Sequence, residues 1–163
     1  MFKKIISGGQ TGVDQAALKT ALQLGIKIGG WCPPGRVCEE GNIPDEFTLK
    51  ETPVERSEQA MHIPRSLRTE WNVRDADASL VLLAGEDMDS GTAWTIQSAK
   101  NSNKPCLVLN ITTHSEIPFI LSWITKNRVE TLNIAGPSES SFPGINNLAS
   151  CFLSVLFKRL KQA

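Results

Sequence analysis

The chain has no excess of charge of either sign. Its 163 residues carry 17 Lys and Arg against 17 Asp and Glu, a formal net charge of zero. Broad non-specific nucleic-acid binding needs a basic surface, so nucleic acid is not an expected partner, although a local basic pocket stays open. The chain also lacks any apolar run near the roughly 20 residues of a membrane helix, so no membrane partner is expected. The opening Met1-Phe2-Lys3-Lys4-Ile5-Ile6-Ser7-Gly8 is too short in its apolar part to be a secretory leader, and Gly8-Gly9 breaks it at once. A cytoplasmic location is the expectation. The four cysteines form no C-x-x-C pair, and the histidines number two, which argues against a metal site. Cys106 and Cys151 lie in apolar segments and read as small core residues, whereas Cys32 lies in a loop. No Ser-His-Asp or Cys-His arrangement is visible. His62 and His114 read as ordinary surface or core residues, so no catalytic set is assigned.

What is present describes an ordered domain. Hydrophobic residues make up 40% and charged residues 21%, a balance that excludes extended disorder. The length suits one domain over residues 1–163. Short apolar runs predict strands at 3–7, 26–28, 78–84, 105–110 and 129–135. Amphipathic periodicity predicts helices at 13–24, 64–75, 92–101, 117–126 and 143–161. The last helix is expected to bury Leu148, Phe152, Val155, Leu156 and Leu160 on one face. Residues 31–56 read as one long irregular segment, rich in Pro, Gly and charge. Alternating strands and helices predict an α/β fold: a Rossmann-like, doubly wound, mainly parallel sheet with helices on both faces.

Ligands of such folds bind beyond the carboxyl ends of the strands, and the loops there carry the unusual residues. Ser7-Gly8-Gly9-Gln10-Thr11-Gly12 follows the first strand and leads into a helix with Asp14 in its first turn. Three glycines and a helix N-terminus suit an anion cradle. The loop matches neither the Walker A pattern nor G-x-G-x-x-G, and a tight turn that needs glycine for sterics is the alternative. Gly29-Gly30-Trp31-Cys32-Pro33-Pro34-Gly35-Arg36 follows the second strand, where an aromatic ring and a guanidinium suit stacking and phosphate contact. Glu39, Glu40 and Asp45 beyond it read as solvated charge. Arg65, Arg68 and Asn72 share one helix face, which is either a binding face or a solvated one. Asn72 and Asp75 read as caps. Ser90-Gly91-Thr92 and Gly136-Pro137-Ser138-Glu139 supply two more loops entering helices. Three such loops at one end of a sheet favour a shared site for a phosphate-bearing small molecule. Asp14, Asp75, Asp77 and Glu139 are the acid–base groups near it.

These loops resemble a known family. Ser7-Gly8-Gly9-Gln10-Thr11-Gly12-Val13-Asp14-Gln15-Ala16-Ala17-Leu18, Gly30-Trp31-Cys32-Pro33-x-Gly35-Arg36, Glu40-Gly41-x-Ile43-Pro44, Arg68-Thr69-x-x-Asn72-Val73, Ser90-Gly91-Thr92 and Asn133-x-Ala135-Gly136-Pro137-Ser138-Glu139-Ser140 are similar in order and spacing to the molybdenum carrier family, within the Rossmann-like SLOG superfamily. The resemblance implies a homo-oligomer, a dimer or tetramer, that binds molybdenum cofactor (molybdopterin, a phosphorylated pterin). It implies that the glycine loops hold the phosphate or the molybdate-like oxygens, and that Trp31 and Arg36 line the pocket. The same superfamily includes cytokinin-activating enzymes that cleave a base from a nucleoside monophosphate, with the signature Pro-Gly-Gly-x-Gly-Thr-x-x-Glu. Here the stretch is Asp89-Ser90-Gly91-Thr92-Ala93-Trp94-Thr95, without the leading glycines and with Thr95 in place of Glu. A nucleotide-sensing module without catalysis is the third expectation.

Overall fold

A computed structural model describes residues 1–112 and 116–163; His114 lies outside the described residues. In chain order the elements are β1 (Lys4–Ile6), α1 (Val13–Gln23), β2 (Lys27–Gly29), β3 (Trp31–Cys32), β4 (Val37–Cys38), β5 (Gly41–Asn42), β6 (Lys50–Glu51), α2 (Ser66–Asp75), β7 (Ala78–Leu83), α3 (Ser90–Asn101), β8 (Cys106–Asn110), α4 (Ile117–Lys126), β9 (Thr131–Ala135) and α5 (Ile145–Gln162). Every expected helix and long strand is there, with ends shifted by a residue or two. One shift has consequences. Asp89 caps α3 by accepting from the Thr92 amide at 2.8 Å, so Ser90 and Gly91 form its first turn rather than a preceding loop.

The main sheet is parallel throughout, in the order β2-β1-β9-β7-β8. β7 is buried along its whole length, which explains its unbroken apolar sequence. β9, last in the chain, sits at the centre and pairs with both β1 and β7. Counted from β9, the order becomes 3-2-1-4-5, the doubly wound pattern begun one unit late. Side chains alternate across the sheet. Ile5, Leu80, Leu82, Leu132 and Ile134 join the core under α1, α4 and α5. α2 and α3 pack on each other over the opposite face. That face is more polar, and there Asn133 Nδ2 donates to Ser79 Oγ at 3.0 Å between paired residues of β9 and β7.

Three expectations are corrected. Residues 31–56 are not structureless: β3 pairs with β6, and β4 with β5. Leu18, Cys32, Cys38, Ile43, Phe47 and Leu49 form a separate small core beneath this segment. Cys151 is exposed while Cys32 and Cys38 are buried, because the buried stripe of α5 runs through Ala149, Phe152, Leu153, Leu156, Phe157 and Leu160 and bypasses position 151. Val155 lies off the same stripe and is exposed.

Phe47, 2% exposed, is the largest side chain of the small core. Phe47→Ala is expected to cost about 3–5 kcal/mol and to speed amide exchange over residues 31–52 before β7. Denaturant melts with hydrogen-exchange mapping check this; uniform loss of protection across the chain would contradict it.

Candidate functional site

The loops after β1, β9 and β7 meet where the winding direction of the sheet reverses, the place where doubly wound folds open a crevice. Here it measures about 260 Å³. Ten of the residues expected at the site line it: Gly8, Gln10, Asp14, Arg68, Asn72, Ser90, Gly91, Thr92, Gly136 and Ser138. Gly9, Thr11, Gly12, Trp31, Cys32, Gly35, Arg36, Pro137 and Glu139 do not. Arg36 is occupied elsewhere, donating to the carbonyls of Leu49, Pro44 and Phe47. Cys32 is shut into the small core, and that burial pushes its thiol pKa up.

The β1 loop is held against the β9 loop by backbone geometry. Gly12 has φ +77, and a Cβ there would lie 2.3 Å from the Pro137 oxygen, so glycine alone fits. The Val13 amide donates to that oxygen at 3.1 Å, and Asn146 Nδ2 donates to Gly12 O at 3.0 Å. Several amides of the loop are already partnered. Gln10 N donates to Asp14 Oδ2 at 3.2 Å, and Thr11 N donates to Gln10 Oε1 at 3.0 Å. The start of α5 is likewise filled from within. Glu139 accepts from the Gly144 amide at 2.6 Å and the Asn146 amide at 3.0 Å, placing its own carboxylate at the positive end of the helix.

α3 differs. Its Thr92 amide is taken by Asp89, but the Ser90 and Gly91 amides have no partner among the described residues. Thr92 is 3% exposed, and its Oγ1 is a buried polar atom without a hydrogen bond among the described residues. Facing this corner are Arg65 and Arg68. Arg65 holds a left-handed backbone, φ 58, at the start of α2, a strained state that for a long side chain persists where surroundings enforce it. Arg68 donates from Nη1 to Gly8 O at 2.6 Å and lies 3.8 Å from Asp14 Oδ2. Both side chains of this pair are about nine-tenths buried. Burial pushes the Asp14 carboxyl above its ordinary 3.8, and the Arg68 guanidinium only partly offsets it.

Glu39, which the sequence presents as solvated charge, lines the crevice. It is exposed, yet it is not simple solvated charge. Thr11 Oγ1 donates to it, and the Ser140 amide donates to Oε1 at 2.9 Å. Its own amide donates to Gln10 Oε1 at 2.9 Å. Partial burial pushes its carboxyl up, but the hydrogen bonds from Ser140 and Thr11 outweigh this and hold it below the ordinary carboxylate range. Glu39 therefore straps the 31–52 segment across the crevice rim. No local pattern marks it, because its partners lie 28 and 101 positions away. Asp89 and Arg65 did carry local signals, an N-cap position and a shared face with Arg68.

The permuted strand order has a counterpart in sequence. Residues 5–157 match the Circularly permutated YpsA SLOG family. The chain belongs to that family. This SLOG member is also similar to a crystal structure named "Putative molybdenum carrier protein" from Syntrophus aciditrophicus SB, with 37% identity, a TM-score of 0.86, and coverage of 95% of this chain and 94% of that one. No curated protein matches it. None of the described helices is long and apolar enough to cross a membrane. Among the described residues no group of three or more His, Cys, Asp and Glu is placed to hold a metal ion.

A carboxyl whose pKa rises on folding contributes stability below its ordinary pKa and loses it as pH climbs through the folded value. The native protein is thus expected to lose stability relative to Asp14→Asn as pH rises above 3.8. Melting temperatures of the two across pH 3–8 read this difference; a pH-independent gap between them would refute it.

Proposed function

We propose that this SLOG protein binds a small oxyanion-bearing ligand at the corner between the N-terminus of α3 and the Arg65–Arg68 pair, and carries the ligand without converting it. The observation that carries this reading is Thr92 Oγ1, buried and without a hydrogen bond among the described residues, at the start of that helix. A buried hydroxyl left unpaired is costly, and a bound oxyanion would satisfy it. The free first-turn amides and the helix dipole add attraction for negative charge. Arg65 and the remaining N–H groups of Arg68 offer charge-assisted contacts to phosphate or similar oxygens. Asp14 keeps the Arg68 fork oriented. A crevice of about 260 Å³ lies just below the roughly 300 Å³ at which drug-sized ligand sites begin, which suits a small oxyanion.

The name of the similar structure turns the ligand toward molybdenum chemistry. Molybdate, or molybdenum cofactor with its phosphorylated pterin, would present oxygens of the kind this corner accepts. The rival reading, hydrolysis of a nucleoside monophosphate, finds little support. Thr95 stands where the base-cleaving relatives have a carboxylate, and its hydroxyl is engaged with Gly91 O at 3.2 Å.

Calorimetric titration of the full chain with sodium molybdate and with inorganic phosphate tests the proposal. Saturable binding is expected, weakened at least about tenfold by Arg65→Ala and by Thr92→Val, a loss of ~1.4 kcal/mol or more. Absence of heat with either anion, or variants that bind as tightly as native protein, would reject the site. Free base released from a nucleoside monophosphate panel would replace the carrier reading with an enzymatic one.

A further inference from the structure

Trp31 has no place in the main crevice, yet it is built with care. Its amide donates to Asn72 Oδ1 at 2.8 Å, and Asn72 Nδ2 donates back to its carbonyl at 3.0 Å. Its indole Nε1 donates to Asp75 Oδ2 at 2.7 Å, and its ring meets Trp71 edge-on with centroids 4.8 Å apart. The ring is thereby fixed at the wall of a second hollow of about 190 Å³, which shares no lining residue with the first. This hollow lies beside the edge strand β2, with Ile6, Ile28 and Gly29 among its lining.

Its charge is lopsided. Lys4 and Lys50 both line it. Lys4 is half-buried, and no ion pair or hydrogen bond engages its ammonium among the described residues. The Lys50 ammonium lies 5.7 Å from the Trp31 ring centroid. The lone carboxylate of the lining, Asp75, is already matched by Arg74, which donates to it from Nε at 2.7 Å. Gly29 makes the arrangement possible: a Cβ there would lie 2.6 Å from Lys4 Cε and 2.7 Å from its Nζ. The missing side chain lets Lys4 lie flat along the hollow. A Lys4 ammonium without a partner among the described residues, a Lys50 ammonium over the Trp31 ring and a rigid indole call for a ligand that is both anionic and planar. The volume, below the roughly 300 Å³ at which drug-sized ligand sites begin, suits a single ring.

We propose that this second hollow binds a small aromatic carboxylate, its acid group between the Lys4 and Lys50 ammoniums and its ring against the Trp31 indole. The site is independent of the oxyanion corner at α3.

The test titrates the full chain with sodium benzoate while following the Trp31 indole N–H resonance in ¹⁵N-labelled protein. A saturable shift is expected, and Lys4→Met and Lys50→Met should each weaken it at least about tenfold. Gly29→Ala should act in the same direction, because it displaces a flexible lysine stem rather than backbone. Native resonances for Trp94 and Trp123 show that each variant is folded. Three results would overturn the proposal: no saturable shift up to about 20 mM benzoate, an undiminished shift in Lys4→Met, or an equal shift with inorganic phosphate. The last would mark a bare charge contact with no use for the ring.

Discussion

The structure depends on one strand taking a seat far from its place in the chain. β9 hydrogen-bonds to β1 on one side and β7 on the other. Without it the sheet would fall into two pieces, β2-β1 and β7-β8, each with a raw edge. The contact that marks this seam is polar: Asn133 reaches Ser79 in the buried interior, across paired positions. Since β9 joins strands from near the beginning and the middle of the chain, most contacts that complete the sheet are distant in sequence. The crevice follows from the same insertion, because β9 brings its loop between those of β1 and β7.

At this rim the protein supplies much of its own negative charge. Glu139 accepts from the first amides of α5, Asp89 caps α3, Asp14 in the first turn of α1 holds the Gln10 amide, and Glu39 joins Thr11 to Ser140. Each carboxylate takes donors that an incoming anion could have used. The loops are thereby pinned from within, as the preformed site proposed above requires. At the α3 corner the donors include two amides without a partner among the described residues, one buried hydroxyl, the Arg65 guanidinium and the remaining N–H groups of Arg68. The Arg68–Asp14 pair belongs to this balance. Burial of the Asp14 carboxyl beside Arg68 costs more than the guanidinium 3.8 Å away returns, which is why its pKa rises on folding.

Much of this was legible in the residues. The helices and long strands follow from local periodicity, and the glycine loops lie at the end of the sheet where the crevice opens. Gly12 reads as a turn glycine from the sequence, but its approach to Pro137 does not, since those residues are brought together by the fold. Trp31 and Arg36 stand within one suggestive motif yet part ways. Arg36 turns back onto the carbonyls of residues 44–49, while Trp31 faces a different hollow. Glu39 carries no local signal, because its hydrogen bonds run to loops 28 and 101 positions away.

The sequence by itself determined the element types, the α/β class and the end of the sheet where the glycine loops gather. Those properties rest on spacing within a few turns of chain, where period and turn chemistry act. The tertiary structure alone decided that β9 sits at the centre, that α3 keeps donors to spare while α5 fills its own, and that Trp31 leaves the shared crevice. Those outcomes depend on which backbone amides and side chains meet across the sheet, and pairing between distant segments leaves no period to read.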